Sequence, residues 1–149
     1  MLGKSLARYL EKGDILCLFG GLGSGKTVFS KGIAGGLGIP AEKIISPTFV
    51  LLRQYPRARI PLYHFDFYRL SDERDIAALG YQEYLYGEGV SIVEWADRLA
   101  SLLPEEYLKI ELSVIEGNHR ALQLSACGGR YEGLLERLRS RIRAGRLHA

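Results

Sequence analysis

Eight residues containing four glycines, Gly20 to Thr27 (GGLGSGKT), stand between the run DILCLF at 14–19 and the stretch VFSKGIAGGL at 28–37. The first run is apolar without polar alternation and is followed at once by glycine, the pattern of a strand buried on both faces in a parallel sheet. The second sets Val28, Phe29, Ile33 and Leu37 at helical spacing and ends at Gly38-Ile39-Pro40. Strand, glycine loop and helix in that order restrict the chain to an α/β architecture. The eight residues also satisfy G-x-x-x-x-G-K-[S/T] at the junction this pattern requires. Glycines let successive backbone N–H groups turn inward around phosphate oxygens, and the helix N-terminus adds its positive dipole. Lys26 is then placed to balance charge at the β- and γ-phosphates, and the Thr27 hydroxyl is suited to Mg²⁺. Gly20, Gly21, Leu22, Gly23, Ser24, Gly25, Lys26, Thr27 and Val28 are therefore the candidate nucleotide-binding residues. The plain alternative, a glycine-rich turn with an exposed lysine, competes weakly, because a chance match arises on the order of 1% of the time.

The rest of the composition is that of one ordinary domain. Of 149 residues, 47% are apolar and 25% charged, enough to build a core without disulfide or metal staples. Cys17 and Cys127 lack any metal-ligand spacing, so they are expected as reduced, packed thiols of a cytoplasmic protein. Charges interrupt the N-terminal apolar residues every few positions, which excludes a signal core or a membrane span there. The net charge of +3 is uneven: from Arg130 onward six arginines face two glutamates, leaving residues 1–129 at −1. The body is near neutral and the excess belongs to the tail.

Along the chain, residues 4–12 place Leu6, Tyr9 and Leu10 on one helical face before Gly13. SPTFVLLRQY from Ser46 and IPLYHFDFYRL from Ile60 are expected as two strands of an antiparallel hairpin around a basic turn, with Pro56 and Pro61 at its ends. SDERDIAALGYQEYL, 71–85, is expected as one helix with a Ser71 cap and acidic residues in its first turn. VSIVEW, 90–95, reads as a buried strand. LKIELSVI and HRALQLSA read as a strand pair around Glu116-Gly117-Asn118. From Tyr131 to about Arg143, Leu134, Leu135, Leu138 and Ile142 form one helical stripe on a basic amphipathic helix. The expectation is a single domain over 1–149 with an α/β, P-loop NTPase-like three-layer fold: a mixed sheet with antiparallel strands, and helices on both faces.

A phosphate loop needs carboxylates for metal and water at neighbouring strand ends. Asp66 ends IPLYHF and Glu94 ends VSIV; spacing alone leaves open which binds metal and which polarises water, and each alone could be a surface acid or a cap. Ser46, Pro47 and Thr48 suit a switch segment sensing the γ-phosphate, or simply a turn before an edge strand. His64 shares a strand face with Asp66, where a core histidine is the default over a contact role. Trp95 suits core packing or an interface anchor. Arg53, Arg57, Arg59 and Arg69 could contact phosphate or RNA, but a solvated basic edge is the commoner explanation.

In order and spacing, L-G-S-G-K-T at 22–27, S-P-T-F at 46–49, H-F-D-F-Y-R-L at 64–70 and V-E-W at 93–95 resemble the TsaE (YjeE) family of small bacterial P-loop ATPases. The resemblance runs from about Leu6 to Arg98 and continues weakly through the terminal strand pair. It implies ATP and Mg²⁺ as ligands, Thr27 and Glu94 as the metal pair, Asp66 and Lys26 as the catalytic residues, Ser46 to Thr48 as the switch, and Trp95 beside the nucleotide. It also implies a role in the threonylcarbamoyl modification of adenosine beside the anticodon of tRNA, in support of the TsaD and TsaB transferase proteins, with direct or indirect tRNA contact and no membrane. One departure is visible: Gly21 stands where the family usually has an acidic or amide residue. A small-molecule kinase would need an acceptor pocket and an arginine-bearing lid, for which the chain has little room. A GTPase-like switch would need an N-K-x-D-like segment, and none is present.

Overall fold

The computed structural model describes residues 2–145. Six strands form one mixed sheet: β1 (Ile15–Phe19), β2 (Leu52–Tyr55), β3 (Leu62–Asp66), β4 (Val90–Glu94), β5 (Tyr107–Glu116) and β6 (His119–Cys127). Their order is β2-β3-β4-β1-β5-β6. The four inner strands run parallel, and the edge strands β2 and β6 pair antiparallel with β3 and β5. Both predicted hairpin pairings are therefore present.

Period-two alternation explains why the inner strands are apolar throughout. Leu16, Leu18, Leu62, Ile92, Leu108 and Ile110 face a core shared with α1 (Leu2–Ala7), α2 (Lys26–Gly36) and α5 (Gly129–Arg143). Ile15, Cys17, Phe65 and Val93 face the other core, under α3 (Glu73–Ala77), α4 (Gln82–Leu85) and the 3₁₀ segment Ala96–Leu102. The expected three layers are thus observed. Helices α1 and α2 pack so closely that a Cβ on Gly36 would stand 2.5 Å from the Ala7 Cβ, and one on Gly3 would stand 2.9 Å from the Phe29 carbonyl oxygen.

The basic tail docks on the sheet through Tyr131, Leu134, Leu135 and Leu138, whereas Ile142 is 41% exposed and leaves the predicted stripe. Arg130 anchors the start of α5: its Nε and Nη2 donate to the two Asp14 carboxylate oxygens at 3.1 and 2.8 Å. The Ile15 N–H donates to the Tyr131 hydroxyl at 2.8 Å. Both cysteines are free, with Cys17 buried and Cys127 half-buried, and burial pushes the Cys17 thiol far up.

Four elements differ from the sequence expectation. The N-terminal helix spans Leu2–Ala7, not 4–12, because tertiary partners satisfy the next backbone groups: the Tyr9 carbonyl accepts from Arg130, and Asp14 accepts from the Glu11 N–H. The single helix expected over 71–85 is two short ones broken at Gly80, whose φ of 68° ends a helix; the cap is Asp72, accepting from the Arg74 N–H, and not Ser71. The strand expected from Ser46 forms only at Leu52–Tyr55. Before it, the Val50 and Leu51 N–H groups both donate to the Pro47 carbonyl, and Leu51 is left-handed. β4 stops at Glu94 because Trp95 turns left-handed at φ 57°.

Candidate functional site

Gly20 ends β1 at φ 153°, and a Cβ there would stand 2.5 Å from the Leu112 carbonyl oxygen and 2.6 Å from Ser24 Oγ, so no other residue fits. Gly25, at φ 102°, turns the chain into α2. The opening N–H groups of that helix have no intrahelical acceptor. Lys26 is only 5% exposed. Its ammonium donates to the carbonyls of Gly20 at 2.5 Å and Gly21 at 2.8 Å, and stands 4.0 Å from the Trp95 ring centroid. Burial lowers its pKa from the ordinary lysine value, opposed by the negative charges of Glu94, Asp66 and Asp97. Gly21 borders open space, where an added Cβ would meet nothing within 4 Å. Leu22 and Val28 are exposed at the mouth of the cleft.

The strand order brings the two acids together. Asp66 and Glu94 are register partners on β3 and β4, and alternation turns both toward α2, together with His64. Glu94 is 1% exposed; its Oε1 accepts from the Thr27 hydroxyl at 2.8 Å, and its Oε2 contacts His64 Nε2. The Asp66 oxygens accept from the Thr48 hydroxyl and from the Tyr68 N–H, each at 2.9 Å. Ser46 Oγ lies 2.9 Å from Thr48 Oγ1, so the turn around Pro47 is tied to Asp66 through hydroxyls. Trp95 is half-buried beside Lys26, with Tyr68 packed on it at 4.9 Å between centroids. Its left-handed backbone is strain of roughly 1–3 kcal/mol placed directly after Glu94.

Lys26, Thr27, Thr48, Asp66, Tyr68, Glu94 and Trp95 line one cleft of about 710 Å³. The sequence reading names all of these except Tyr68; His64 stands directly behind Glu94, and Ser46 and Pro47 do not line the cleft. It missed the opposite wall. β1 pairs with β5 only at Leu108–Glu111, so the rest of the β5–β6 hairpin overhangs the loop and brings Asn118, Arg120 and Leu122 to the cleft. The signal was the length of LKIELSVI and HRALQLSA against a five-residue central strand. Tyr68 was also missed, and nothing local marks it. The four arginines around the first hairpin do not form one patch: Arg59 donates to the Ala7 carbonyl at 2.5 Å, and Arg69 stacks on Phe49 at 4.2 Å at the cleft end of β3.

The donor set suits Mg²⁺. Among the described residues no cluster of three or more His, Cys, Asp or Glu forms a ready cage. Magnesium instead takes one or two protein oxygens together with phosphates and waters. Thr27 Oγ1 and Glu94 Oε1 stand 2.8 Å apart. Neighbouring ligands of an octahedron with bonds of about 2.05 Å are about 2.9 Å apart.

Among the described residues no helix is long and apolar enough to cross a membrane. The profile described as "Threonylcarbamoyl adenosine biosynthesis protein TsaE" matches residues 1–122. A tRNA threonylcarbamoyladenosine biosynthesis protein TsaE from Bacillus subtilis is 43% identical over 137 residues, 92% of this chain and 85% of the relative. Its namesake from Treponema pallidum is 46% identical over 123 residues, 83% of this chain and 90% of the relative. A crystal structure of YdiB from Bacillus subtilis superposes with a TM-score of 0.82 at 39% identity, covering 94% of this chain and 86% of that one. With the phosphate loop, both strand-end acids and the sheet order in place, the chain belongs to the TsaE family of threonylcarbamoyl adenosine biosynthesis proteins.

Proposed function

We propose that this protein is an Mg²⁺-dependent ATPase, a single cytoplasmic domain that supports threonylcarbamoyl modification of adenosine beside the anticodon of tRNA by acting on the TsaD and TsaB transferase proteins. One observation carries the reading: Thr27, Glu94 and Asp66 converge at the mouth of one phosphate loop, at the carboxyl ends of parallel strands. A small-molecule kinase would use the same loop but would also need an acceptor pocket and an arginine-bearing lid.

In the reaction, Lys26 exchanges the Gly20 and Gly21 carbonyls for phosphate oxygens, and the loop amides hold the remaining charge. Thr27 and Glu94 would hold Mg²⁺, which would supply positive charge against the phosphates. Asp66 orients the attacking water. Thr48 and Ser46, bonded to Asp66 and to each other, couple the switch segment to that event, so hydrolysis alters the surface offered to a partner. Asn118, Arg120 and Leu122 wall the nucleoside end, on the far side of the loop from Asp66. Turnover by the isolated protein is slow, since the nearby guanidiniums of Arg69 and Arg98 rest on Phe49 and Trp95. A partner-supplied charge is worth several orders of magnitude in such sites. The test is reconstitution with the transferase pair, ATP, Mg²⁺ and unmodified tRNA, scoring the modified nucleoside. Omission of this protein is expected to abolish sustained product formation; equal yield without it overturns the reading.

A further inference from the structure

We propose that His64 is a positioning residue that fixes the rotamer of the Glu94 carboxylate for divalent-cation binding. This rests on the Mg²⁺–nucleotide reading of the cleft. His64 itself does not line that cleft, whereas Glu94 does, so the imidazole can act on bound ligand only through Glu94.

The geometry divides the carboxylate between two donors. Oε1 takes the Thr27 hydroxyl, and Oε2 takes His64 Nε2, so each oxygen has a different partner and rotation about the last side-chain bond breaks both contacts. Water does not compete, because Glu94 and His64 are 1% and 2% exposed. Of the neighbouring strand positions, Ile92 and Leu18 carry no donor, and Arg53, which pairs with His64 from β2, stands two strands from Glu94 and makes no hydrogen bond to it. Asp66, in register on the other side, is itself an acceptor. His64 therefore supplies the donor that keeps Oε2 turned inward and leaves Oε1 facing Thr27 and the cleft. Nε2 carries the proton in this contact, in the neutral Nε2–H tautomer or in the imidazolium. Metal ligands are routinely oriented by such outer hydrogen bonds, and removing one weakens metal affinity by about 10- to 100-fold.

A histidine that merely fills the core predicts something different, since its loss would loosen the whole sheet end and weaken nucleotide binding with or without metal. The chain provides its own probe for separating the two. Trp95 is the sole tryptophan and stands 4.0 Å from the Lys26 ammonium, so its fluorescence reports occupancy of the phosphate loop. Titrating the imido analogue of ATP into full-length wild type, His64→Leu and His64→Gln, at several Mg²⁺ concentrations and in EDTA, reads both affinities. His64→Leu is expected to raise the Mg²⁺ half-saturation concentration by about 10-fold or more while the EDTA affinity stays within about twofold. His64→Gln, which retains a terminal N–H donor, is expected to recover part of the loss. Should His64→Leu not fold, His64→Asn replaces it, its shorter amide being unable to reach Oε2. A wild-type Mg²⁺ half-saturation in His64→Leu, or equal losses with and without Mg²⁺, overturns the positioning role. Absence of any Mg²⁺ effect in the wild type instead overturns the metal reading, and the inference with it.

Discussion

Lys26 is held against the carbonyls of its own loop, and burial disfavours its charged form. Its pKa lies below 10.5 in the folded protein, so the ammonium costs stability at neutral pH, and that cost eases as pH rises through the lowered pKa toward the unfolded value. Lys26→Met is therefore expected to leave the melting temperature of the free protein unchanged or raised while abolishing nucleotide binding; a fall of more than about 4 °C, equivalent to roughly 1–2 kcal/mol, would contradict this. Asp66 separates binding from chemistry. Asp66→Asn keeps acceptor capacity for Thr48 or Tyr68 but loses the negative charge that the proposed mechanism uses to orient water. Partner-stimulated hydrolysis should fall by about 100-fold or more with nucleotide affinity nearly unchanged, as single-turnover and fluorescence titrations will read. Both residues were legible in the sequence, because a motif and a strand end are local facts. That both Asp66 oxygens are engaged, one by a hydroxyl 18 residues away, was not.

At the scale of elements, two pieces carry opposite duties. Helix α5 fastens the start of β1 through Tyr131, whose hydroxyl accepts the Ile15 N–H. Tyr131→Phe strands that buried donor and should cost about 1–2 kcal/mol, a drop of roughly 3–6 °C on thermal melting, without changing nucleotide affinity. Burial, chiefly, pushes the Tyr131 hydroxyl up to about 12. The unfolded chain ionises near 10, so this stability is complete below about pH 10 and is lost as pH rises toward 12. Denaturant titrations across that window should show a shallower alkaline loss in the phenylalanine variant. The overhanging β5–β6 hairpin, by contrast, serves the cleft: Arg120→Ala should weaken nucleotide binding several-fold (~1 kcal/mol) with the Mg²⁺ dependence and the melting temperature unchanged. The helix expected over 71–85 failed where Gly80 takes a left-handed turn that periodicity does not register. The strand expected from Ser46 failed because the Pro47 carbonyl captures two backbone donors and rolls the segment onto Asp66.

For the molecule as a whole, the sequence by itself determined the architecture class. A glycine loop between a fully apolar strand and an amphipathic helix, with further apolar strands ending in Asp66 and Glu94, leaves little but a nucleotide-type α/β sheet covered on both faces. It also determined the face each strand residue takes, since alternation needs only the residue's own strand. The order of the strands was decided by the tertiary structure alone, because it depends on which apolar faces bury each other across long separations. That order makes Asp66 and Glu94 neighbours, sets His64 against Glu94 and swings Trp95 over Lys26. It also stations a hairpin that begins 80 residues beyond the phosphate loop as the far wall of the same cleft. Local patterns carry chemistry and periodicity; only packing converts them into adjacency, and adjacency is what a metal and a triphosphate require.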